Sequence, residues 1–357
     1  MTSSSPNLPG RLGDPTLTLA TDPRLDPRLR AVLEEYGISD WGEMASDEGE
    51  PSLEEILDGI AEAEAMSDAL YAGIFASFPP VPGVARRSEA TEGVDGNEIL
   101  LFIHEPEGRT GPLPGILHTH GGGMVLMSAR DPQYVRWRDE LAASGLCVIG
   151  VEFRNAAGKL GNHPFPAGLN DCASAAQWAY RNGDALGIGN LVISGESGGG
   201  NLCLATALKA KQEGWIEQIA GVYSCCPYIS GTYDPPPPEL VSAVENDLMG
   251  VARLTQQWAT AYDPGGTNAS NPLAWPYHAT PDDLVGLPPH TVSVNELDNL
   301  RDEGLIYARK LMAAGVPTIS RTVNGTHHGG DTEYWGALPH VCRATVRDIQ
   351  GFAASLV

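Results

Sequence analysis

The spacing of hydrophobic residues changes near residue 84. Before that point apolar positions recur every three or four residues, which predicts helices over Asp26–Tyr36 and Ser52–Phe78. The second helix opens on a capping box, because Ser52 is followed three residues later by Glu55, and it stops at two prolines. Residues 1 to about 25 are rich in proline, serine, glycine and aspartate, so we expect an extended arm there. The N-terminal region is therefore expected to be helical and to contain no strand.

From residue 84 onward, short apolar runs alternate with helical patterns. The expected strands are Val84–Glu92, Glu98–His104, Leu113–His118, Leu146–Phe153, Leu191–Ser194, Ile219–Cys226, His290–Asn295 and Thr318–Val323. The expected helices are Leu169–Leu186, Gly199–Glu213, Arg301–Ala314 and His340–Ser355. Strands that alternate with helices of this length favour an α/β architecture, in which helices cover both faces of a mostly parallel sheet.

One connection is too long for a simple crossover. About 60 residues separate Cys226 from Leu287, and they include the proline run Pro235–Pro238 and a helical pattern over Met249–Tyr262. A segment of this length between consecutive sheet strands is typical of a lid or cap. We therefore expect a cap insertion at about residues 228–285.

Composition limits the number of domains and the kinds of binding partner that the chain can have. With 357 residues, 42% of them hydrophobic, the chain can bury the core of one large α/β domain or of two ordinary ones. The formal net charge of −23 argues against nucleic acid and anionic membranes as partners, because both are polyanions. The six cysteines are scattered, with no Cys-x-x-Cys pair. Because we find neither a signal peptide nor an apolar run long enough to span a membrane, we expect a cytoplasmic protein.

The most informative motif is a Gly-Glu-Ser-Gly-Gly turn centred on Ser197. It follows an apolar strand, and a helical pattern begins directly after it. Such a sharp strand–turn–helix bend projects the serine hydroxyl from the backbone and leaves no room for side chains two residues either side. Gly195 and Gly199 meet that steric demand. A serine hydroxyl is a poor nucleophile without a base and an oxyanion hole, so the motif predicts catalysis only if those partners occur elsewhere.

Three further loops supply such partners, and each follows a predicted strand. The glycine-rich loop His118–Gly123 suits backbone N–H groups that bind an oxyanion. Asn295–Gly304 carries several carboxylates, and Gly325–Gly329 carries two histidines. Because the carboxyl ends of parallel strands meet at one edge of a sheet, we expect the four pieces to lie together. Their order along the chain, serine then acid then histidine, is that of the α/β-hydrolases.

These motifs resemble those of the hormone-sensitive-lipase-like family of microbial carboxylesterases, which includes bacterial aryl-ester and heroin-type esterases. The matching stretches are His120–Gly123, His163–Ala167 with Asp171, Leu287–Pro289 and Asp298–Gly304. The resemblance implies an α/β-hydrolase fold, in which a mostly parallel eight-stranded twisted sheet is flanked by helices and carries a helical cap. On this basis residues 1–83 form an N-terminal arm and part of the cap, and residues 84–357 form the catalytic domain.

The resemblance also implies the role of each site residue. The catalytic triad is Ser197, Asp298 and His328. The oxyanion hole is formed by the N–H groups of Gly121, Gly122 and Gly198. The candidates for substrate contact are Met124, Glu196 and His327, although the Glu196 side chain is expected to point away from Ser197. The aromatic residues expected to line the cap are Trp41, Tyr71, Phe75, Tyr233, Trp258 and Trp275.

Several residues compete for these roles. The alternatives to Asp298 as the acid are Glu296, Asp302 and Glu303. His327 is the alternative to His328, and the family spacing Gly-x-x-His-Gly favours His328. His118 and His120 share one face of a strand end and could suggest a metal, but two ligands do not make a site and no third is evident. We therefore expect neither a metal nor an organic cofactor.

The expected function is hydrolysis of a small-molecule ester, short-chain or aryl, through an acyl-enzyme. The same residues would serve an amidase, a deacetylase or a carbamate hydrolase, so this alternative stays open. A different alternative is a ligand-binding module on a hydrolase scaffold, as in the plant hormone receptors that resemble this family and typically lack the base histidine. The family also commonly forms homodimers through the last strand and helix, which makes a homodimer a further expectation.

Overall fold

The computed structural model describes residues 8–37 and 51–356, and its centre is a single sheet. The strands in chain order are β1 (Val84–Glu92), β2 (Glu98–Pro106), β3 (Leu113–Thr119), β4 (Cys147–Glu152), β5 (Ile188–Glu196), β6 (Gly221–Cys225), β7 (His290–Asn295) and β8 (Thr318–Val323). Their order in the eight-stranded sheet is β1-β2-β4-β3-β5-β6-β7-β8. β2 pairs antiparallel with β1 and β4, and the other neighbours are parallel. The predicted mostly parallel eight-stranded sheet is confirmed.

Helices cover both faces of this sheet. In chain order they are α1 (Gly10–Gly13), α2 (Pro27–Glu35), α3 (Leu53–Phe75), α4 (Pro132–Ala143), α5 (Ala167–Arg181), α6 (Gly183–Leu186), α7 (Gly198–Gln212), α8 (Ser242–Glu245), α9 (Ala252–Tyr262), α10 (Pro281–Leu284), α11 (Arg301–Ala313) and α12 (Pro339–Ala354). Successive strand residues face opposite layers, because strand side chains alternate. Ile116 packs in one core cluster with residues of α4 and α12, whereas Leu117 packs in another with residues of α5, α7 and α11.

Helix α4 was not predicted from the sequence. Its buried side includes the polar residues Arg138 and Asp139 beside Trp137 and Leu141, so no clean apolar stripe marks it. Burial of these charges is compensated by partners on other elements. Asp139 forms an ion pair with Arg86 and a hydrogen bond with His104, and Arg138 Nη2 donates to Ala129 O at 2.6 Å. A pattern of apolar positions therefore misses a helix whose buried face is held by an ion pair and by hydrogen bonds of charged side chains.

The predicted N-terminal arm is not extended where the structure describes it. Residues 8–25 include the short helix α1, and Leu19 and Leu25 are buried. These leucines belong to a cluster with Leu248 from the long insertion and Leu297 from the loop after β7. The first seven residues of the expected arm, and the predicted cap residue Trp41, lie outside the described residues.

Helix α3 brings the N-terminal region against the long insertion. It starts at the predicted capping box, in which Ser52 Oγ accepts from the Glu55 N–H at 3.3 Å, and it ends at Phe75 rather than Phe78. It packs against α9 and α4. Of the helices in the described residues, none is long and apolar enough to cross a membrane.

Candidate active site

Ser197 occupies a strained turn between β5 and α7. Its φ is 57° and its ψ is −119°, a backbone conformation that residues other than glycine rarely adopt. The turn is held by the Ser197 N–H, which donates to Cys225 O at 3.0 Å. A Cβ on Gly195 would overlap Thr119, and one on Gly199 would lie 2.5 Å from His120 O. Both glycines are therefore needed for the close approach of the turn to the loop after β3.

Asp298 and His328 are joined by a direct hydrogen bond. His328 Nδ1 lies 2.8 Å from Asp298 Oδ2, and Asp298 Oδ1 accepts from the Leu300 N–H at 2.9 Å. The Asp298 carboxylate is buried. The two loops that carry this pair are themselves tied together, because the Leu297 N–H donates to Thr326 O at 3.0 Å. The pair is thus oriented by backbone bonds on both sides.

The alternative acids are all engaged elsewhere. Each of them accepts a hydrogen bond from a backbone N–H of another segment: Asp302 from Ser242, Glu296 from Gly325 and Glu303 from Ile229. None of these three carboxylates is bonded to His328 among the described residues. The geometry therefore favours Asp298 as the partner of the histidine.

The pKa values of the two neighbouring histidines are shifted in opposite directions. Burial lowers the pKa of His327 to about 4, so its imidazole is neutral, and its ring packs edge-on against Tyr334 at 5.1 Å. Burial acts in the same direction on His328, but the charge of Asp298 and its hydrogen bond outweigh it and raise the pKa of His328 above its ordinary value. His328 is therefore the better proton acceptor, and His327 lines the wall of the same cavity.

The oxyanion-hole assignment needs one correction. The Gly121 N–H donates to Glu196 Oε1 at 3.2 Å, so it is not free for an oxyanion. Gly122 and Gly123, with φ of 92° and 60°, line the cavity together with Ser197. The sequence could not distinguish the three consecutive glycines, because any of their N–H groups could face the serine. The geometry favours Gly122 and Gly123, with Gly198, as the donors.

Glu196 and Met124, two of the predicted substrate contacts, do not line the cavity in front of Ser197. Glu196 lies beneath the glycine-rich loop, where Oε2 is 3.0 Å from His118 Nε2 while Oε1 holds the Gly121 N–H. Met124 is buried in the core, and Met127 lines the cavity instead. Glu196 therefore links the Ser197 turn to the glycine-rich loop His118–Gly123, as expected for a side chain that points away from Ser197.

The histidines that could suggest a metal are engaged in other contacts. His118 is paired with Glu196, and His120 Nδ1 donates to Gly121 O at 2.9 Å while its ring stacks on Phe153 at 4.1 Å. A second cluster brings ligand atoms of Cys226, Asp298 and His328 within 4.8 Å of one another. An ion there would have to break the hydrogen bond between Asp298 and His328, so we interpret the cluster as an acid–base pair with a buried thiol beneath it.

A cavity of about 200 Å³ opens in front of Ser197 and His328. Its apolar walls come from the N-terminal region and from the long insertion, and include Leu19, Leu70, Ile74, Leu248, Leu254 and Trp258. Of the predicted cap aromatics, Tyr71 and Trp258 line it, whereas Phe75, Tyr233 and Trp275 are buried in the core. Trp258 lies so close to Gly123 that a Cβ there would be 2.8 Å from the indole.

The substitution Gly198→Ala is expected to impair catalysis without unfolding the chain. A Cβ at this position would lie 2.6 Å from Met124 N and 2.7 Å from Gly123 N, backbone atoms at the end of the glycine-rich loop. The loop must then move away from Ser197, and we expect kcat for a p-nitrophenyl ester to fall about tenfold to a hundredfold.

A matched control is Gly351→Ala in α12, where a Cβ meets no atom within 4 Å. We expect it to leave kcat unchanged and to raise the free energy of unfolding slightly, since alanine favours a helix over glycine by about 0.5–1 kcal/mol. An unaltered kcat in Gly198→Ala would mean that the loop can retreat without losing its donors, against the geometry described above.

Comparison with known proteins gives a consistent set of relatives. The family model described as the alpha/beta hydrolase fold matches residues 116–331. The carboxylesterase NlhH of Mycobacterium tuberculosis is 26% identical over 94% of this chain and 97% of its own length, and an arylesterase of Saccharolobus solfataricus is 29% identical over 85% and 91%. Among solved structures, brefeldin A esterase, described as a bacterial homologue of human hormone-sensitive lipase, is 41% identical with a TM-score of 0.93 over 98% of this chain and 99% of that one. Esterase Est22 is 37% identical with a TM-score of 0.85 over 94% and 99%.

Proposed function

The chain belongs to the α/β-hydrolase family, in its hormone-sensitive-lipase-like branch, and we propose that it hydrolyses carboxylic esters with Ser197 as the nucleophile. The prediction of a carboxylic ester hydrolase from the sequence is confirmed by this family and by its esterase relatives. The observation that carries the assignment of residues is the meeting of a strained serine turn, a bonded Asp298–His328 pair and two cavity-lining glycines around one cavity.

In the first half of the reaction His328 acts as the base. Its Nδ1 is bonded to Asp298, which leaves Nε2 to take the proton of Ser197 as the serine oxygen attacks the substrate carbonyl carbon. The negative charge that develops on the carbonyl oxygen is stabilised by backbone N–H groups of Gly122, Gly123 and Gly198. The alcohol then leaves with the proton from His328, and the acyl group remains on the serine oxygen.

In the second half water replaces the alcohol. His328 takes a proton from a water molecule, whose oxygen attacks the acyl carbon, and the same oxyanion site stabilises the second tetrahedral intermediate. The carboxylic acid departs as the proton returns to the Ser197 oxygen. The Asp298 carboxylate stabilises the imidazolium that forms in each half. Every proton is thus carried by side chains of this chain, by water or by the substrate.

The substrate class follows from the apolar cavity and from the relatives. We propose short-chain or aryl esters, because the cavity of about 200 Å³ is lined mainly by leucine, methionine and aromatic side chains. The likeness to brefeldin A esterase makes brefeldin A a specific substrate to test. We also propose that the described part of the predicted N-terminal region, residues 8–37 and 51–83, forms a cap together with the insertion at about 228–285, since both contribute walls of this cavity.

Partners and location belong to the same proposal. The net charge of −23 supports a protein that does not bind nucleic acid, and the six buried thiols are consistent with a cytoplasmic location. A homodimer through β8 is supported by the position of β8 at the sheet edge, where Ile319 is 58% exposed.

Labelling with a fluorophosphonate tests this function directly. We expect one covalent adduct, located by peptide mass spectrometry at Ser197, and parallel loss of p-nitrophenyl ester hydrolysis. A panel of matched esters, anilides and carbamates then ranks the leaving groups, with esters expected to react fastest. Absence of both labelling and turnover would instead indicate a binding module on the hydrolase scaffold, and faster cleavage of the anilide would indicate an amidase.

A further inference from the structure

One carboxyl group in the cavity has no part in the ester mechanism. Glu333 lines the cavity together with Ser197 and His328, and the other carboxylate in that lining, Asp298, is bonded to the histidine. The surrounding walls are mainly apolar, with Leu70 and Ile74 contributed by α3. An acidic side chain in such a wall is costly unless it is hydrogen-bonded, so its presence calls for a partner.

Two segments that are distant in the sequence hold Glu333 in place. Tyr71 of α3 donates its hydroxyl proton to Glu333 Oε2. The Glu333 N–H donates to Gly329 O at 3.2 Å, and a Cβ on Gly329 would lie 3.3 Å from Glu333 Oε1. The carboxyl therefore stands beside the residue that follows His328, with one oxygen bonded to α3. This places a fixed hydrogen-bond acceptor next to the reacting groups.

Charge in the cavity limits what Glu333 can bind. Burial raises the pKa of Glu333 to about 7, the carboxylates of Glu196 and Asp331 act in the same direction, and the Tyr71 hydrogen bond and His328 oppose them. An anionic substrate group would be repelled by these carboxylates. An ammonium group would lose its hydration against apolar walls, which costs more than transfer of a neutral hydroxyl. A neutral hydroxyl is the donor that fits both the charge and the walls.

We propose that Glu333, positioned by Tyr71, accepts a hydrogen bond from a hydroxyl group of the substrate and makes the enzyme selective for hydroxylated esters. The inference rests on the proposed ester hydrolysis and names the substrate class for the same cavity. Glu333 is half-buried, and a bound substrate would cover it. A substrate that lacks the donor is then disfavoured, because the covered acceptor is desolvated and unpaired. We therefore expect a higher kcat/KM for a hydroxylated ester than for the ester that carries a methyl group in place of the hydroxyl.

The test uses two matched pairs of esters, one for each side of the reacting carbonyl. The first pair is the p-nitrophenyl ester of an ω-hydroxyalkanoic acid and that of the acid with methyl in place of hydroxyl. The second pair is an ω-hydroxyalkyl butanoate and the alkyl butanoate with the same replacement, followed by pH-stat. We expect the wild-type protein to prefer the hydroxylated member in at least one pair by about tenfold or more in kcat/KM.

The variant Glu333→Leu removes the acceptor at similar volume. It is expected to erase the preference, mainly through a higher KM for the hydroxylated ester, while the methyl partner changes much less. Glu333→Gln keeps an acceptor oxygen and should keep part of the preference. Leu70→Ala, which alters the same cavity without touching the carboxyl, is the control and should leave the ratio within each pair unchanged.

Three outcomes would overturn the proposal: no preference by the wild-type protein in either pair, an equal loss of both members in Glu333→Leu, or a change of ratio in Leu70→Ala as large as in Glu333→Leu. If Glu333→Leu lowered kcat/KM equally for both members of a pair and also shifted the acid limb of the pH profile, Glu333 would instead act by setting the pKa of His328. Thermal denaturation of each variant identifies loss of fold. Failure here would leave ester hydrolysis itself standing, because that function is judged by turnover and by labelling of Ser197.

Discussion

Replacing Ser197 with alanine is expected to reduce kcat for ester hydrolysis by about four orders of magnitude or more. The serine oxygen is the atom that forms the acyl-enzyme, and a water molecule is not held in its position by the backbone of the turn. The alanine variant keeps the Cβ and the backbone bond from residue 197 to Cys225, so the turn should persist. Stopped-flow and steady-state assays with a p-nitrophenyl ester measure the loss, including the burst of the acyl-enzyme.

The control for this variant is Ser355→Ala, which removes an exposed hydroxyl at the end of α12. We expect unchanged kcat and KM in the control, and thermal unfolding of both variants close to that of the parent chain. If Ser197→Ala retained a tenth of the parent activity with a folded structure, another nucleophile would have to be sought and the mechanism proposed above would fall.

Asp298→Asn is expected to have the second largest effect, a loss of about 10⁴-fold in kcat, as for a triad whose histidine is held in the wrong tautomer. The asparagine amide can donate to His328 Nδ1, which would leave the proton on Nε2, where the mechanism needs an acceptor. Asp298→Asn also removes the charge that raises the pKa of His328. Both consequences act on the base while Ser197 stays in place.

The pH dependence of kcat/KM tests the same pairing, because the direction in which its acid limb should shift can be predicted. Activity needs the neutral imidazole, so in the parent chain kcat/KM falls as pH drops through the pKa of His328, which lies above its ordinary value. Without the carboxylate, that pKa is lower, and the residual activity of Asp298→Asn should extend to lower pH. An acid limb that stayed in place or moved upward would contradict the pairing of Asp298 with His328.

Asp282→Asn serves as the matched control, because Asp282 is an exposed carboxylate of α10 outside the cavity. It changes the net charge by the same amount as Asp298→Asn, so it corrects for the general electrostatic effect of one lost carboxylate. We expect its kcat/KM and its acid limb to match those of the parent chain.

The fold and the positions of the acid and base loops could be predicted from local patterns. Strand periodicity, the glycine spacing around Ser197 and the placement of each loop after a strand depend on residues a few positions apart, and their geometry is nearly the same in any α/β sheet. Strands β7 and β8 begin and end where the pattern placed them. The failures, helix α4 and the packed segment 8–25, occur where burial is supported by ion pairs or by distant leucines.

Local spacing along the chain was thus sufficient for the sheet, the serine turn and the loops that carry the candidate acid and base. The choice of Asp298 and His328 within those loops came from the family resemblance. Packing between distant segments decides which glycines of the loop after β3 reach the cavity, because the Gly121 N–H is bonded to Glu196 while Gly122 and Gly123 line the cavity. Packing also brings Tyr71 into contact with Glu333, which is 262 residues away in the sequence. It thereby fixes a hydrogen-bond acceptor in the cavity that no sequence motif predicts. Hydrogen-bond partners of this kind are chosen by three-dimensional proximity, and a one-dimensional pattern does not record it.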